Sequence, residues 1–454
     1  MESLAFGGKG VAKIEGYTVF VERGLPGQLV NARVFRRSKG FAEARVVDVL
    51  ESGPRDVPAR CSHFGVCGGC AFQHLDYEAQ LEAKREHVKD CVERIGGLTG
   101  IEVEPTLASP HVYEYRNKME YSFGSLWLEA GKPAEERMSL GLHVRGRFDR
   151  VVEVERCHLQ DATGSDIVRA VRDFAVASGL APYSTKTHRG FWRFLVHRNG
   201  VHTGERMVVI ITNRVEPGSP EWREVERLGA MLKARVPQIT SLLHGMTDTK
   251  AGVAFCQTLR VLSGDPIIRE TLLGLTFEIG PNTFFQTNTL GAERLFSEAL
   301  ERSGISPDMT VWDLYCGVGA LSLPLARLAR HVVGVEIVPE SVEAAWRNAA
   351  LNQTTNLDFH SGDVREVMRA LAQSGPAPDL IAVDPPRDGV HAQVLQQIAE
   401  AAPRRLLYIS CNPATLARDL GILKQAGYAT DRVLPVDLFP HTPHIEAVAI
   451  LTRN

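Results

Sequence analysis

Beyond Gly280 the sequence settles into short apolar runs separated by stretches of helical periodicity, and that alternation leaves few folds open. Strands are expected at 311–314, 332–335, 380–383 and 406–409, with helices between them such as 339–352. Units of this kind bury parallel strands beneath helices on both faces, which predicts a doubly wound, Rossmann-like α/β domain. Ligands of such open sheets lie beyond the carboxyl ends of the strands, so the residues that follow each predicted strand are the ones to read for chemistry.

The first of these stretches is Asp313-x-x-Cys316-Gly317-x-Gly319-Ala320, ahead of a helix expected near Leu321. Glycines there let backbone approach a ligand, and the helix amino terminus adds favourable polarity. Ser322 stands where a dinucleotide fingerprint would have its third glycine, so that motif is not met. Glu336 ends the next strand, where a carboxylate can accept ribose hydroxyls. Asp363, after the third, suits either an adenine contact or a helix N-cap. Asp384-Pro385-Pro386-Arg387 is a stiffened loop fit to grip a planar ring. Ser410-Cys411-Asn412-Pro413 then places a thiol at a strand end in the same sheet. A strand-end cysteine taken alone reads as a small buried hydrophobe.

The preceding half is built differently. The first fifty residues break into short apolar strands separated by glycine turns, the pattern of a small β-barrel. They carry eight basic against five acidic residues, in a chain whose overall net charge is −3. Gly53-Pro54 and Pro58 lead into Cys61, Cys67 and Cys70, and then into an amphipathic helix over 77–95. From about 101 to 275 the pattern is mixed and mostly β. At 454 residues two or three domains are expected, here 1–52, 53–275 and 276–454. No leader-like segment and no run of eighteen apolar residues occurs, so a cytoplasmic protein without membrane contact is expected. Clustered cysteines in such a chain point to metal or catalytic use rather than disulfides. A monomer is expected.

On these residues the chain resembles the S-adenosylmethionine (SAM)-dependent RNA (uracil-C5)-methyltransferases, the tRNA and ribosomal RNA 5-methyluridine enzymes. Leu4-Ala5-Phe6-Gly7-Gly8-Lys9-Gly10 with Leu25-Pro26-Gly27 is similar to their OB-like TRAM domain. Cys61-x5-Cys67-Gly68-Gly69-Cys70 with Cys157 is similar to their iron–sulfur module. Tyr115-Arg116-Asn117-Lys118, Asn282-Thr283-Phe284-Phe285-Gln286, the Asp384 and Cys411 motifs, and Phe439-Pro440-His441-Thr442-Pro443-His444-Ile445-Glu446 follow in the family's order. The resemblance implies SAM bound at Gln286, Tyr315, Glu336 and Asp384, with Asp363 as an addition. It implies Cys411 as nucleophile and Glu446 as proton acceptor. Ala320 departs from members that carry Asn there and is left out of the site.

The implied chemistry explains why such groups are needed. Uracil C5 is a poor nucleophile until a thiolate adds to C6 and pushes electron density onto it; a base must then remove the C5 proton so that the thiolate can leave. His441 and His444 are rival bases, read here as supporting or RNA-facing groups. Extruding a base from folded RNA calls for phosphate and stacking contacts, for which Arg116, Lys118, Trp192, Arg193 and Arg198 are candidates, each fitting equally a solvated or core-lining place. Cysteine spacing alone suits zinc as well as a 4Fe-4S cluster; the resemblance implies the cluster, through Cys61, Cys67, Cys70 and Cys157. Large-subunit (23S) ribosomal RNA is the expected partner ahead of transfer RNA. Amino-group methylation of adenine, which needs no thiol, and an RNA-binding factor that has kept the fold are the competing readings.

Overall fold

The computed structural model describes residues 1–126, 138–147 and 149–454. Residues at the amino terminus form a five-stranded sheet in the order Ser3–Leu4, Gly10–Ile14, Tyr17–Glu22, Phe41–Glu51, Leu29–Arg37. Alternate residues Val19, Val21, Ala42 and Ala44 point inward and make its small core. Among the described residues no ladder joins the first and last strands. Met1 bridges the gap instead, its ammonium donating to Gln28 O (2.8 Å) and its carbonyl accepting from Gly27 N (2.9 Å).

A seven-stranded sheet follows, running from Thr258–Gly264 at one edge to Arg150–Glu153 at the other. Every residue of its strand Arg206–Thr212 is buried, because both faces of the sheet are covered. Val208 and Ile210 meet the helices Ala162–Ser178 and Pro220–Arg235, whereas Met207, Val209 and Ile211 share a core with the carboxy-terminal half. A continuous apolar run is the expected sequence signature of a strand buried on both sides.

The carboxy-terminal sheet contains β1 (Thr310–Leu314), β2 (His331–Glu336), β3 (Leu357–Ser361), β4 (Leu380–Val383), β5 (Arg405–Ser410), β6 (Arg432–Val436) and β7 (Glu446–Arg453). Their spatial order is β3-β2-β1-β4-β5-β7-β6, parallel except that β7 runs antiparallel to both neighbours. The order reverses between β1 and β4, the place where doubly wound sheets open a crevice. Glu102–Val103 adds a further strand beside β6, so the chain visits this sheet before it builds the central one.

The helix Tyr77–Arg94 ties these parts together. Its buried stripe carries Gln80, Lys84 and His87 beside Val88, Cys91 and Val92, a polar stripe that apolar periodicity alone does not anticipate. Gln80 Nε2 donates to the Phe72 and Leu75 carbonyls, and His87 Nε2 meets Leu4 O at 2.9 Å. Lys84 is fully buried and donates to Asp437 Oδ1 (2.6 Å) and Phe439 O (3.1 Å). Burial pushes the Lys84 ammonium down and the Asp437 carboxylate pulls it back. Asp437 also accepts from Tyr77 OH (3.0 Å) and Phe439 N (2.9 Å), which fixes the loop running into β7. Breaking such a pair from one side strands a buried charge at a cost of about 3–5 kcal/mol. Asp437→Leu should therefore lower the denaturation free energy by about that much, and adding Lys84→Met should recover most of it. Equal destabilisation in the single and double variants, measured by urea unfolding, would mean that packing and not charge dominates.

Candidate active site

The sheet register brings most of the sequence-predicted residues into one row. Leu314 pairs with Val335 and with Val383, and Glu336 pairs with Ser361, all in parallel. Tyr315, Glu336, Asp363 and Asp384 therefore stand at the carboxyl ends of β1 to β4, side by side across the crevice. Tyr315 takes a left-handed backbone (φ 67°), held because Tyr315 N and Cys316 N both donate to Val335 O (2.9 and 3.1 Å). Glu336 accepts from Gly317 N (3.1 Å) and Val338 N (2.9 Å), which sets the glycine turn against the next strand. A Cβ on Gly317 would enter open space, whereas one on Gly319 would strike Leu323 at 2.7 Å. One glycine thus faces the crevice and the other packs the turn. Asp313 is buried beneath, accepts from Ser322 Oγ, and is pushed up to about 7 by loss of solvent.

Gln286 enters from the segment before the helix Thr289–Ser303, with its carbonyl accepting from Asn117 Nδ2 (2.8 Å). Asp363 realises the N-cap reading. It accepts from Arg365 N (2.9 Å) and pairs with the Arg365 guanidinium (2.8 and 2.6 Å), which holds its carboxyl down at about 2.

Cys411 and Glu446 are brought together by pairing alone. β5 and β7 run antiparallel with Ser410 opposite Ala447, so the next position along each strand sets Cys411 against Glu446. On the other side Val383 pairs with Tyr408, which carries Asp384-Pro385-Pro386-Arg387 alongside Ser410-Cys411-Asn412. Asn412 Nδ2 donates to Arg387 O (3.0 Å) and its Oδ1 caps the helix Pro413–Gln425 through Ala414 N (3.1 Å). Buried Asp419 accepts from Tyr408 OH (2.6 Å) and Val390 N (2.9 Å), fixing strand, loop and helix to one another.

The electrostatics are those of crowded acids. Burial, then the Glu446 and Asp384 charges, push the Cys411 thiol up to about 11, against a smaller opposing pull from Arg387. Asp384 is pushed up to about 7 by burial. Glu446 is 4% exposed, and burial followed by the Asp384 charge holds it well above the usual carboxylate range. His444 has its Nδ1 taken by Arg387 Nη2 (2.7 Å) and is pushed down to about 4, first by burial and then by Arg387. It therefore stands neutral with Nε2 carrying the proton. Cys411, Asn412, Arg387, His444 and Ile445 line one cavity of about 170 Å³, together with Phe6, Gly7 and Pro443.

Other expectations are corrected. Trp192 is fully buried in the central core, and Arg193 is spent on Asn213 Oδ1 and the Thr247, Thr249 and Ala251 carbonyls. Arg198 is 3% exposed and donates to the carbonyls of Pro281 and Thr283. These three brace the scaffold and do not face RNA. His441 is buried as well, its carbonyl accepting from Ala71 N and Phe72 N and its amide donating to Gln80 Oε1. Lys118 pairs with Glu120. Arg116 keeps a half-buried guanidinium whose Nε has no hydrogen-bond partner among the described residues. The sequence reading missed the part played by Phe6-Gly7, because their approach to Cys411 depends on contacts between distant segments.

Cys61, Cys67, Cys70 and Cys157 line a single small cavity of about 30 Å³ with His63 and His158 at its edge. Gly69 N donates to Cys67 Sγ (3.4 Å) and Gln73 Nε2 to Cys70 Sγ (3.2 Å). Burial, and their mutual repulsion as anions, push Cys70 up to about 12 and Cys157 to about 11. Among the described residues no three His, Cys, Asp or Glu side chains stand close enough, as they lie, to hold a metal ion. The four cysteines share one cavity, but as they lie they do not make the expected metal-binding group. None of the eight cysteines is paired in a disulfide, and no described helix is long and apolar enough to cross a membrane.

Comparison with known proteins agrees with this arrangement. Residues 272–454 match the tRNA (uracil-5-)-methyltransferase family model, and residues 1–47 match the TRAM domain. An uncharacterized RNA methyltransferase of Nitratidesulfovibrio vulgaris is 41% identical over all of this chain and 95% of its own length. One from Halalkalibacterium halodurans is 38% identical over 99% of this chain and 95% of its own. Among solved structures, Pyrococcus abyssi tRNA (uracil-54, C5)-methyltransferase in complex with S-adenosyl-L-homocysteine superposes with a TM-score of 0.75 at 27% identity, covering 100% of this chain and 99% of that one. With β1 to β5, the acid-lined crevice and the cysteine–glutamate pair in place, the chain belongs to the tRNA (uracil-5-)-methyltransferase family and is an RNA methyltransferase with an N-terminal TRAM domain.

Proposed function

We propose that the protein transfers the methyl group of SAM to C5 of a uridine in structured RNA through a covalent bond between Cys411 Sγ and C6. The observation that carries this reading is the register of β5 against β7, which faces the thiol with a buried carboxyl beside the Asp384 loop. SAM would bind along the strand ends, with Glu336 taking the ribose hydroxyls, Tyr315 and Asp363 flanking the adenine, and Gln286 and Asp384 at the amino-acid portion; bound there, it supplies an electrophilic methyl. Cys411 releases its proton to solvent and the thiolate adds to C6; the pair of electrons displaced onto C5 takes the methyl as its bond to the donor sulfur breaks, the sulfur keeping that electron pair. Glu446, as the carboxylate, accepts the C5 proton, the C5–C6 double bond re-forms, and Cys411 leaves as thiolate. The raised affinity of Glu446 for protons suits it to that task. Adenine amino-group methylation would leave Cys411 with nothing to do.

Residues 1–52 and 53–275 are proposed to grip the RNA around the flipped uridine, with Arg116 as a cation for its backbone. Four thiols on one cavity, two of them already accepting N–H groups, fit a 4Fe-4S cluster or zinc held by Cys61, Cys67, Cys70 and Cys157. With four protein ligands the group would supply rigidity and charge, not an open coordination site. It would brace Ala71 and Phe72, whose amides hold the His441 carbonyl five residues before Glu446. The test is one preparation made without oxygen. Incubated with SAM and RNA from cells lacking the gene, it should form 5-methyluridine at a defined position, and mapping assigns that position to 23S ribosomal or transfer RNA. The same sample should be brown and contain iron. Methylated adenine in place of 5-methyluridine would overturn the function, and colourless protein with stoichiometric zinc would replace the cluster.

A further inference from the structure

The cavity that holds Cys411 is not made by the methyltransferase half alone. Phe6 and Gly7, from the first turn of the TRAM domain, line it together with Arg387, Asn412 and His444. That turn is built to stay in place. Ala5 N donates to Lys9 O (2.8 Å) and Gly8 N to Ala5 O (2.9 Å), closing the loop on itself. Leu4 O is held by His87 of the helix Tyr77–Arg94 (2.9 Å). Gly8 takes a left-handed backbone (φ 87°), and a Cβ there would lie 3.0 Å from the Phe72 ring and 3.6 Å from Pro443. Phe6 is presented at the tip of this anchored turn and is 52% exposed, with its ring edge-to-face with His87. A single exposed aromatic is unremarkable on a protein surface. One fixed at the rim of the cavity that contains the nucleophile is different.

The chemistry says which part of the RNA it can meet. A target ring must give one face to Cys411 at C6 and keep C5 open to the methyl donor, so its reacting atoms leave no room for an aromatic platform. A uridine drawn out of its stack leaves its neighbour with an uncovered face, and an aromatic side chain can replace the lost stacking whatever that base is. From this geometry we infer that Phe6 is a positioning residue which stacks on the RNA base flanking the target uridine, so that the TRAM domain forms one wall of the catalytic pocket. The inference rests on the proposed reaction and adds a residue to it.

The test compares Phe6→Ala, Phe6→Leu and Phe6→Tyr on a transcript carrying the mapped site, with 2-aminopurine next to the target uridine. Loss of one base–aromatic stack should raise KM for RNA about tenfold in Phe6→Ala, with kcat and SAM affinity little changed. Phe6→Tyr should recover most of the loss and Phe6→Leu should not. Wild-type protein should quench the 2-aminopurine on binding, and that quenching should disappear with Phe6→Ala and return with Phe6→Tyr. Wild-type KM and quenching in Phe6→Ala, or equal rescue by leucine and tyrosine, would overturn the stacking role while leaving the reaction intact. Failure of wild-type protein to make 5-methyluridine would overturn the reaction itself, and the inference with it.

Discussion

Cys411→Ala will reduce methyl transfer by about 10⁴-fold or more, the scale seen when a covalent nucleophile is removed. The substitution will also abolish the adduct that wild-type protein should form with RNA bearing 5-fluorouridine. In that RNA the thiolate can add and the methyl can transfer, but fluorine cannot leave as a proton, so the enzyme stalls in covalent linkage. Denaturing gels separate the two outcomes directly. Cys411 is half-buried at the edge of its cavity and makes no side-chain hydrogen bond on which the strand depends, so SAM binding and melting temperature should be nearly unchanged. The charge state of the thiol gives the same claim a second handle. A thiol held at about 11 is mostly protonated at neutral pH, so iodoacetamide should label Cys411 slowly at pH 7 and roughly tenfold faster for each pH unit gained. A labelling rate already level by pH 8 would show that the crowded acids do not hold the proton. Residual methylation near the wild-type level in Cys411→Ala would sink covalent catalysis and leave direct transfer, as in adenine amino-group chemistry.

How much of this was legible beforehand depends on whether a residue's role is set locally. The strand ends were legible, because a period-two or continuous apolar run fixes where a strand stops, and the residue after it lands at the ligand edge whatever the loops do. Tyr315, Glu336, Asp384 and Cys411 follow from that rule. Glu446 follows only once β7 is known to run antiparallel, since its place comes from the pairing of Ser410 with Ala447 and not from its own neighbours. Asp363 shows the reverse case: its local signal fitted two roles, and the one the structure displays is the cap strengthened by Arg365.

The basic residues of the central unit were the least legible. Arg193 and Arg198 read equally as RNA-facing cations and as core-lining residues, and each reaches inward to satisfy carbonyls that the loops before Gln286 and around Thr247–Ala251 leave unpaired. A guanidinium with five donors is suited to that service, and nothing in the linear sequence distinguishes it from a phosphate contact. The same blindness hid Lys84, whose partner Asp437 lies on the far side of the chain, and Phe6, whose value lies in the turn that carries it to Cys411.

Glu446→Gln separates the first half of the reaction from the second. The amide has the shape of the protonated acid that the buried site already favours, so folding and RNA binding should survive. It cannot accept a proton. Turnover should therefore fall by about 10²–10⁴-fold, the usual contribution of a positioned base. The steps before proton removal need no base at that position. Because the buried site favours the neutral acid in the free protein, the amide leaves the surroundings of the Cys411 thiol nearly unchanged, so addition to C6 and iodoacetamide labelling should run at about the wild-type rate. Protein incubated with SAM and unmodified RNA should then accumulate as an adduct that already carries the methyl group, visible as radiolabel from the donor migrating with protein and RNA together. Wild-type protein should show almost none. Normal turnover in Glu446→Gln would move the base elsewhere, and His444 is the next group lining the cavity. Its Nδ1 is occupied by Arg387 and its Nε2 holds the proton in the free protein. For His444 to serve, the Arg387 contact would have to break first, so Arg387→Ala would then alter the pH profile of a reaction that Glu446→Gln leaves alone.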